Sequence, residues 1–384
     1  MANHESLTGA KESKKDEFYT LYSDIENEMN AYVEYNPDVF RNKTILLPCD
    51  DPETSNFTRY FASNFQRFGL KKLISTSYAR GAANMQPTLF ELDSPLYDET
   101  KHETHGRLYT LTHDSDGSGE IDEDDVEFKG YLEGDGDFRS REVCKLRDEA
   151  DIIITNPPFS LFREFLAWIM SANKQFAIIA HQNAITYKEV FPLLRENKIW
   201  LGQGFKGNIG FFEAPLYEDY AKASMHKEGL IRVSGVVWFT NIDLGKRHEP
   251  LLLDTMAHNL KYNKTLRKRF IGDDGSLSYP HYDNCDAIEV PFTDAIPSDF
   301  EGVMGVPITF LDKYNPDQFQ ILGLSRDMDI PTKTGMSEYL LRDYFAQGGK
   351  GSMKPGHPDL GYYDANKKVV IPYMRILIKK KGNI

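Results

Sequence analysis

Short apolar runs that stop at polar or proline-containing tips alternate along the first half of the chain with segments whose apolar residues recur every three or four positions. Asp151-Ile152-Ile153-Ile154 is three-quarters β-branched, which suits a strand buried on both faces. Asn156-Pro157-Pro158 must end it, because proline lacks a donor and holds both itself and the preceding residue extended. Leu161 to Met170 then shows helical spacing, with Ser160 placed to cap it. Lys43 to Leu47 has the same strand form and ends at Pro48-Cys49-Asp50-Asp51-Pro52. It is preceded by a helix through Ile25, Met29 and Tyr32. Asn56 to Phe68 reads as a helix with Phe57, Tyr60, Phe61, Phe65 and Phe68 on one side, and Lys72 to Tyr78 as a second strand. Arg141 to Glu149 predicts a helix, Gln175 to Ala180 a buried strand with the tip His181 to Thr186, and Tyr187 to Glu196 a helix. This rhythm predicts an α/β fold built on a mainly parallel sheet.

The pattern changes twice. Residues 80–133 lack a long periodic segment and read as an irregular acidic insert with short strands such as Arg107 to Thr112. From Lys198 onward, Ile199 to Leu201, Ile231 to Thr240, Gly302 to Leu311, Phe319 to Leu322 and Val369 to Ile378 are strand-like and separated by turn residues. The expected organisation is a catalytic domain over 1–200 and a strand-rich region over 201–384. Part of that region, Val233 to Phe239 above all, completes the catalytic sheet.

With 384 residues, 40% of them hydrophobic, the chain can bury a large core. No apolar run approaches membrane-spanning length and Met1 to Lys15 is polar, so a soluble cytoplasmic protein with no membrane partner is expected. Cys49, Cys144 and Cys285 lack metal-ligand spacing, so no zinc site is implied. The net charge of −13 counts against a nucleic-acid partner until its distribution is considered: Asp114 to Asp137 holds eleven acidic residues and one lysine, leaving −3 for the rest. Two stretches offer basic faces, Lys261 to Arg269 and Arg375 to Lys381. Within the acidic stretch, Asp114, Asp116 and Ser118 fit the early positions of a calcium loop, yet Asp125 stands at its last position in place of glutamate. An acidic surface turn is the favoured reading, and no metal is expected.

The tip at Asn156 carries the candidate chemistry. Ligands of open α/β sheets bind beyond the carboxyl ends of the strands. There the Asn156 amide oxygen and the Pro157 carbonyl can both accept from one planar amino group, while the Phe159 ring offers a stacking face. That combination fits an extruded adenine. It is also compatible with other amino acceptors, RNA bases and protein glutamine among them, and a plain strand ending in a proline turn is the bland rival.

The order of motifs narrows the choice. Asp16 to Thr20, Cys49-Asp50-Asp51-Pro52 with Ser55-Asn56-Phe57, Gly134 to Phe138, Asn156 to Glu164, Ile185 to Glu189 with Lys198 to Gly202, and Gly302 to Leu311 together resemble the EcoRI-type adenine-specific DNA methyltransferases. The resemblance implies a Rossmann-like, S-adenosylmethionine-dependent methyltransferase sheet with a strand-rich C-terminal target-recognition region. It implies that Asn156, Pro157, Pro158 and Phe159 form the catalytic tip. Tyr19, Thr20, Cys49, Asp50, Asp51, Asp137, Phe138 and Asn156 are implied to bind S-adenosyl-L-methionine, Asp137 and Phe138 at its adenine and Tyr19 and Thr20 at its methionyl end. The chain departs from the wider superfamily at Asp50 and Asp51, where glycines are missing. It also lacks an acid at the tip Thr76-Ser77-Tyr78. Duplex DNA is the implied partner, a cognate restriction endonuclease a candidate second one, and a monomer is expected. An RNA or protein-glutamine amino-methyltransferase and a non-catalytic DNA- or calcium-binding module remain the competing readings.

Overall fold

The computed structural model describes residues 19–49, 55–79, 94–213 and 230–382. The chain forms two compact units, one from residues 1–190 and 199–245, the other from residues 191–198 and 246–384.

In the first unit, β1 (Tyr19–Thr20) leads into the helix Tyr22–Tyr35, whose buried Ile25, Met29 and Tyr32 recur at helical spacing. The central strands are β2 (Thr44–Leu47), β3 (Lys72–Thr76), β6 (Ile152–Thr155) and β7 (Gln175–His181). Between β3 and β6 in the chain come β4 (Arg107–Leu111) and β5 (Glu127–Tyr131), so residues 94–133 supply two strands to the sheet. β8 (Trp200–Leu201) and β11 (Val236–Thr240) close the opposite edge, giving the order β5-β4-β3-β2-β6-β7-β11-β8. The core strands are parallel, with Leu46 opposite both Ile74 and Ile153 and Ile154 opposite Ala177. β4 and β11 run antiparallel to their neighbours. From β2 the chain proceeds to β3 on one side and later to β6 on the other, so the strand order reverses at β2 and β6, where doubly wound sheets hold their ligands.

Side-chain alternation sorts the two faces. Ile45, Leu47, Leu73, Ile152, Ile154 and Trp238 pack with the Tyr22–Tyr35 and Asn56–Ser63 helices. The intervening residues face the other way, towards the helices Arg141–Glu149 and Phe162–Ser171, as the rings of Phe162 and Phe239 at 5.1 Å illustrate.

Two expected elements are divided and a third is shortened. The 56–68 helix breaks at Asn64 and resumes at Phe65. The 231–240 run becomes two strands because Gly235, at φ 74°, turns the chain in the left-handed region. Its first part, β10 (Leu230–Ser234), joins β1 and β9 (Ile209–Glu213) in a separate antiparallel sheet, and its second part is β11. The 187–196 helix is confined to Phe191–Arg195, since Tyr187 is extended.

The second unit is built on a four-stranded sheet in which β12 (Ala287–Glu289) runs parallel to β13 (Val303–Pro307), and β17 (Arg375–Lys380) runs antiparallel between β13 and β14 (Phe319–Leu324). The expected 302–311 strand ends at Pro307 and gives way to a 3-10 turn, and β16 (Val369–Val370) pairs in a separate hairpin with β15 (Tyr362–Tyr363). Glu289 is fully buried and receives a bidentate fork from Arg375 (3.0 and 2.6 Å) together with the Tyr282 hydroxyl. Among the described residues, no helix is long and apolar enough to cross a membrane.

Candidate active site

The carboxyl ends of β2 and β6 are tied together by the Thr155 hydroxyl, which donates to the Pro48 carbonyl. The chain then leaves β6 through half-buried Asn156 and buried Pro157, and Pro158 stays extended at φ −53° and ψ 124°. The two proline carbonyls differ in use. Pro158 accepts from the Leu161 N–H at 2.9 Å and so starts a 3-10 turn over Phe159–Leu161, while among the described residues nothing donates to the Pro157 carbonyl. This turn begins the Phe162–Ser171 helix without a side-chain cap, which corrects the cap expected at Ser160, an exposed residue inside the turn. Phe159 is half-buried against the core that covers the Tyr22–Tyr35 face. Asn156, an open backbone acceptor and an aromatic ring are thus held within four consecutive residues.

Beside this tip, Cys49 sits at φ 72°, a left-handed conformation that residues with a Cβ adopt rarely. A strained cysteine therefore makes the sharp turn for which other sheets use glycine. Asp50 and Asp51 lie outside the described residues. The next helix starts at Asn56, capped by Ser55, whose hydroxyl accepts from the Phe57 N–H at 3.1 Å. The Asn56 amide donates to the Thr20 carbonyl at 2.9 Å, which fastens β1 to the start of this helix. Thr20 is 3% exposed, and its hydroxyl has no hydrogen-bond partner among the described residues. Buried hydroxyls are normally satisfied, so this atom fits the polar end of a bound ligand. Tyr19 is half-buried next to it.

The loop with Asp137 reaches the end of β3. Gly136 lies at φ 84°, and a Cβ there would stand 2.2 Å from the Ser77 carbonyl oxygen, so only glycine permits the approach. Hydrogen bonds from Ala79 N–H to Asp135 (2.8 Å) and from Gly106 N–H to Gly134 (2.9 Å) lace the loop to the strand ends. Asp137 is half-buried, and its carboxylate is gripped by Arg139, which donates through Nε at 2.9 Å, Nη2 at 2.6 Å and the backbone at 2.8 Å. Phe138 is a core ring, edge-on to Phe165 at 5.0 Å and Trp168 at 5.6 Å, with the Arg139 guanidinium over it at 5.3 Å.

Sequence reasoning missed Arg139, and it missed Thr76, a buried residue at the tip of β3 whose hydroxyl also lacks a partner among the described residues. It named the tip of β7 without reading His181, whose Nδ1 accepts from the Asn183 N–H at 3.1 Å and whose pKa burial pushes down. The Asn183 N–H thereby fixes the orientation of the ring within the turn.

The acidic loop stands apart from these strand ends in its use of carboxylates. Asp114, Asp116 and Asp125 bring oxygens within 4.8 Å of one another. Those of Asp114 accept from the N–H groups of Gly117 (2.6 Å) and Gly119 (2.8 Å), and Asp125 accepts from Ser115 (2.6 Å). These bonds, from Gly119 to Asp114 and from Ser115 to Asp125 foremost, hold both carboxyl groups below the usual range. The Ser118 hydroxyl donates to the Glu120 carbonyl at 3.1 Å, and a strand, Arg107–Leu111, enters the loop where a calcium hand has a helix. The arrangement is a self-bonded turn.

A strand tip with two acceptors and a ring, set at the reversal of a doubly wound sheet, narrows the family, and comparison with known proteins decides it. The family described as adenine-specific methyltransferase EcoRI matches residues 6–381. The chain belongs to this family. It is therefore an adenine-specific DNA methyltransferase. The type II methyltransferase M.EcoRI of Escherichia coli is 41% identical over 332 residues, covering 85% of this chain and 91% of that protein. M.MpnI of Mycoplasma pneumoniae, also a type II methyltransferase, is 30% identical over 380 residues and 98% of both chains. M.MgeORF184P of Mycoplasma genitalium is 33% identical over 318 residues, 82% of this chain and 84% of that one. No solved structure matches the chain.

Proposed function

We propose that this methyltransferase modifies the exocyclic amine of an adenine flipped out of duplex DNA, with S-adenosyl-L-methionine as donor and Asn156 to Phe159 as the clamp. The observation that carries this reading is the Pro157 carbonyl, which takes no hydrogen bond among the described residues while its neighbour Pro158 is engaged. S-adenosylmethionine supplies an electrophilic methyl group on a sulfonium. An aromatic amine is a poor nucleophile because its lone pair is delocalised into the ring. When Asn156 Oδ1 and the Pro157 carbonyl accept its two N–H groups, the lone pair is directed away from the ring plane, and fixed placement replaces a diffusive encounter. An amide at 156 is no base, so the proton shed by the amine passes to solvent. Extrusion of the base costs a few kcal/mol, and stacking on Phe159 offsets about 1–3 kcal/mol of it.

The partnerless Thr20 hydroxyl supports a donor site along Tyr19, Thr20, Cys49 and Asn156, continued by Asp50 and Asp51. Asp137 and Phe138 serve the donor's adenine, which requires the Arg139 fork to yield part of its hold on the carboxylate. In this reading the first unit is catalytic and the second recognises DNA. A monomer in the cytoplasm is part of the proposal, as is a cognate restriction endonuclease against which it protects sites, a partner that the relatives' name of type II methyltransferases supports.

Incubation with methyl-labelled S-adenosylmethionine and, side by side, duplex DNA, RNA and protein tests the reading. Label recovered from DNA as N6-methyladenine is the expected result. Label confined to RNA or to protein glutamine would overturn it.

A further inference from the structure

We propose that the helical hairpin of the second unit, helices Met256–Tyr262 and Lys264–Phe270, is the surface that grips the phosphate backbone of duplex DNA; the proposal rests on the DNA-methyltransferase reading above. The hairpin is firmly built. Thr255 and Asn263 cap its two helices, accepting from the His258 and Leu266 N–H groups. Leu266 and Phe270 are buried, Phe270 edge-on to Tyr279 at 5.8 Å, and the buried Asn259 amide donates to the Ala295 carbonyl.

With Leu266 and Phe270 anchoring one side, Lys264, Arg267 and Lys268 are exposed together, three and four residues apart. No aspartate or glutamate stands between Thr255 and Gly272, in a chain of net charge −13. Lys264 and Lys268 form no ion pair among the described residues. Arg269 comes no closer than 4.0 Å to Glu289, which Arg375 already holds. Several other cations of this unit have partners: Arg326 pairs with Asp359, Lys313 with Asp294 and Arg342 with Asp343. Half of the second basic stretch read from the sequence is spent, since Arg375 is buried on Glu289 and Lys380 pairs with Glu301, which leaves exposed Lys379 and Lys381 as its remaining cations. Like charges one helical turn apart repel, and a polyanion supplies the missing counter-charge. Tyr262, 58% exposed at the junction of the two helices, adds a hydroxyl of the kind that contacts phosphates.

The test is the salt dependence of binding to a fluorescent mixed-sequence DNA duplex by the full-length protein. For Lys264→Gln/Lys268→Gln the slope of log affinity against log salt is expected to shrink by about 1.8, from roughly 0.9 per lost phosphate contact, with S-adenosylmethionine binding unchanged. The matched variant Lys379→Gln/Lys381→Gln is expected to keep the wild-type slope. An unaltered slope in the hairpin variant, an equal loss in both variants, or hairpin-dependent binding of single-stranded RNA in preference to duplex DNA would each overturn the proposal. An active DNA methyltransferase with an unaltered slope defeats the hairpin alone; a wild-type protein that methylates no DNA defeats the functional reading itself.

Discussion

Buried hydroxyls without partners cost about 1–3 kcal/mol each, and near strand ends of the first unit those of Thr20 and Thr76 have none among the described residues. Replacement of Thr20 by the similarly shaped valine removes that cost. Thr20→Val is expected to raise the melting temperature of the ligand-free protein and to weaken S-adenosylmethionine binding at least fivefold, about 1 kcal/mol; thermal unfolding and calorimetry check the two effects. The opposite pairing, lower stability with unchanged affinity, would make Thr20 a packing residue. Thr20 was legible only as part of the Asp16 to Thr20 resemblance. Thr76 was not legible at all, because the isolation of a hydroxyl is a property of packing that residue order does not encode. Asn156 to Phe159 was readable directly, since two prolines dictate an extended tip whatever surrounds them.

At the scale of elements, the parallel core strands and their helices were legible from apolar periodicity, as β2, β6 and the Arg141–Glu149 helix illustrate. The division of 231–240 was hidden because one glycine, Gly235, sends two adjacent apolar runs into different sheets. Arg139 escaped for a related reason: its fork on Asp137 depends on a turn that only the folded loop defines. That loop is held by Gly136, and Gly136→Ala places a methyl group against the Ser77 carbonyl at a strained φ. The variant is expected to lose about 1–3 kcal/mol of stability and to bind S-adenosylmethionine more weakly, while saturating donor restores most of the methylation rate. Failure of saturating donor to restore the rate would separate the loop from donor binding.

For the whole molecule, the second unit was foreseen as strand-rich, but its buried ionic core was not, because Glu289 and Arg375 lie far apart in the chain. Removing Arg375 leaves a fully buried carboxylate without its counter-charge, so Arg375→Met is expected to cost about 3–5 kcal/mol. All three tryptophans, Trp168, Trp200 and Trp238, belong to the first unit. The far-ultraviolet circular dichroism transition should therefore fall further than the tryptophan fluorescence transition; equal shifts would contradict the prediction. The central claim, that Asn156 and Pro157 orient an adenine amine for methyl transfer, is tested most directly by single-turnover methylation of duplex DNA, with the product nucleoside identified by mass spectrometry. The wild-type protein is expected to yield N6-methyladenine, and Asn156→Ala to form the same product about 10²–10³-fold more slowly at saturating S-adenosylmethionine and DNA. A product other than N6-methyladenine, or an undiminished rate for Asn156→Ala, would contradict the account.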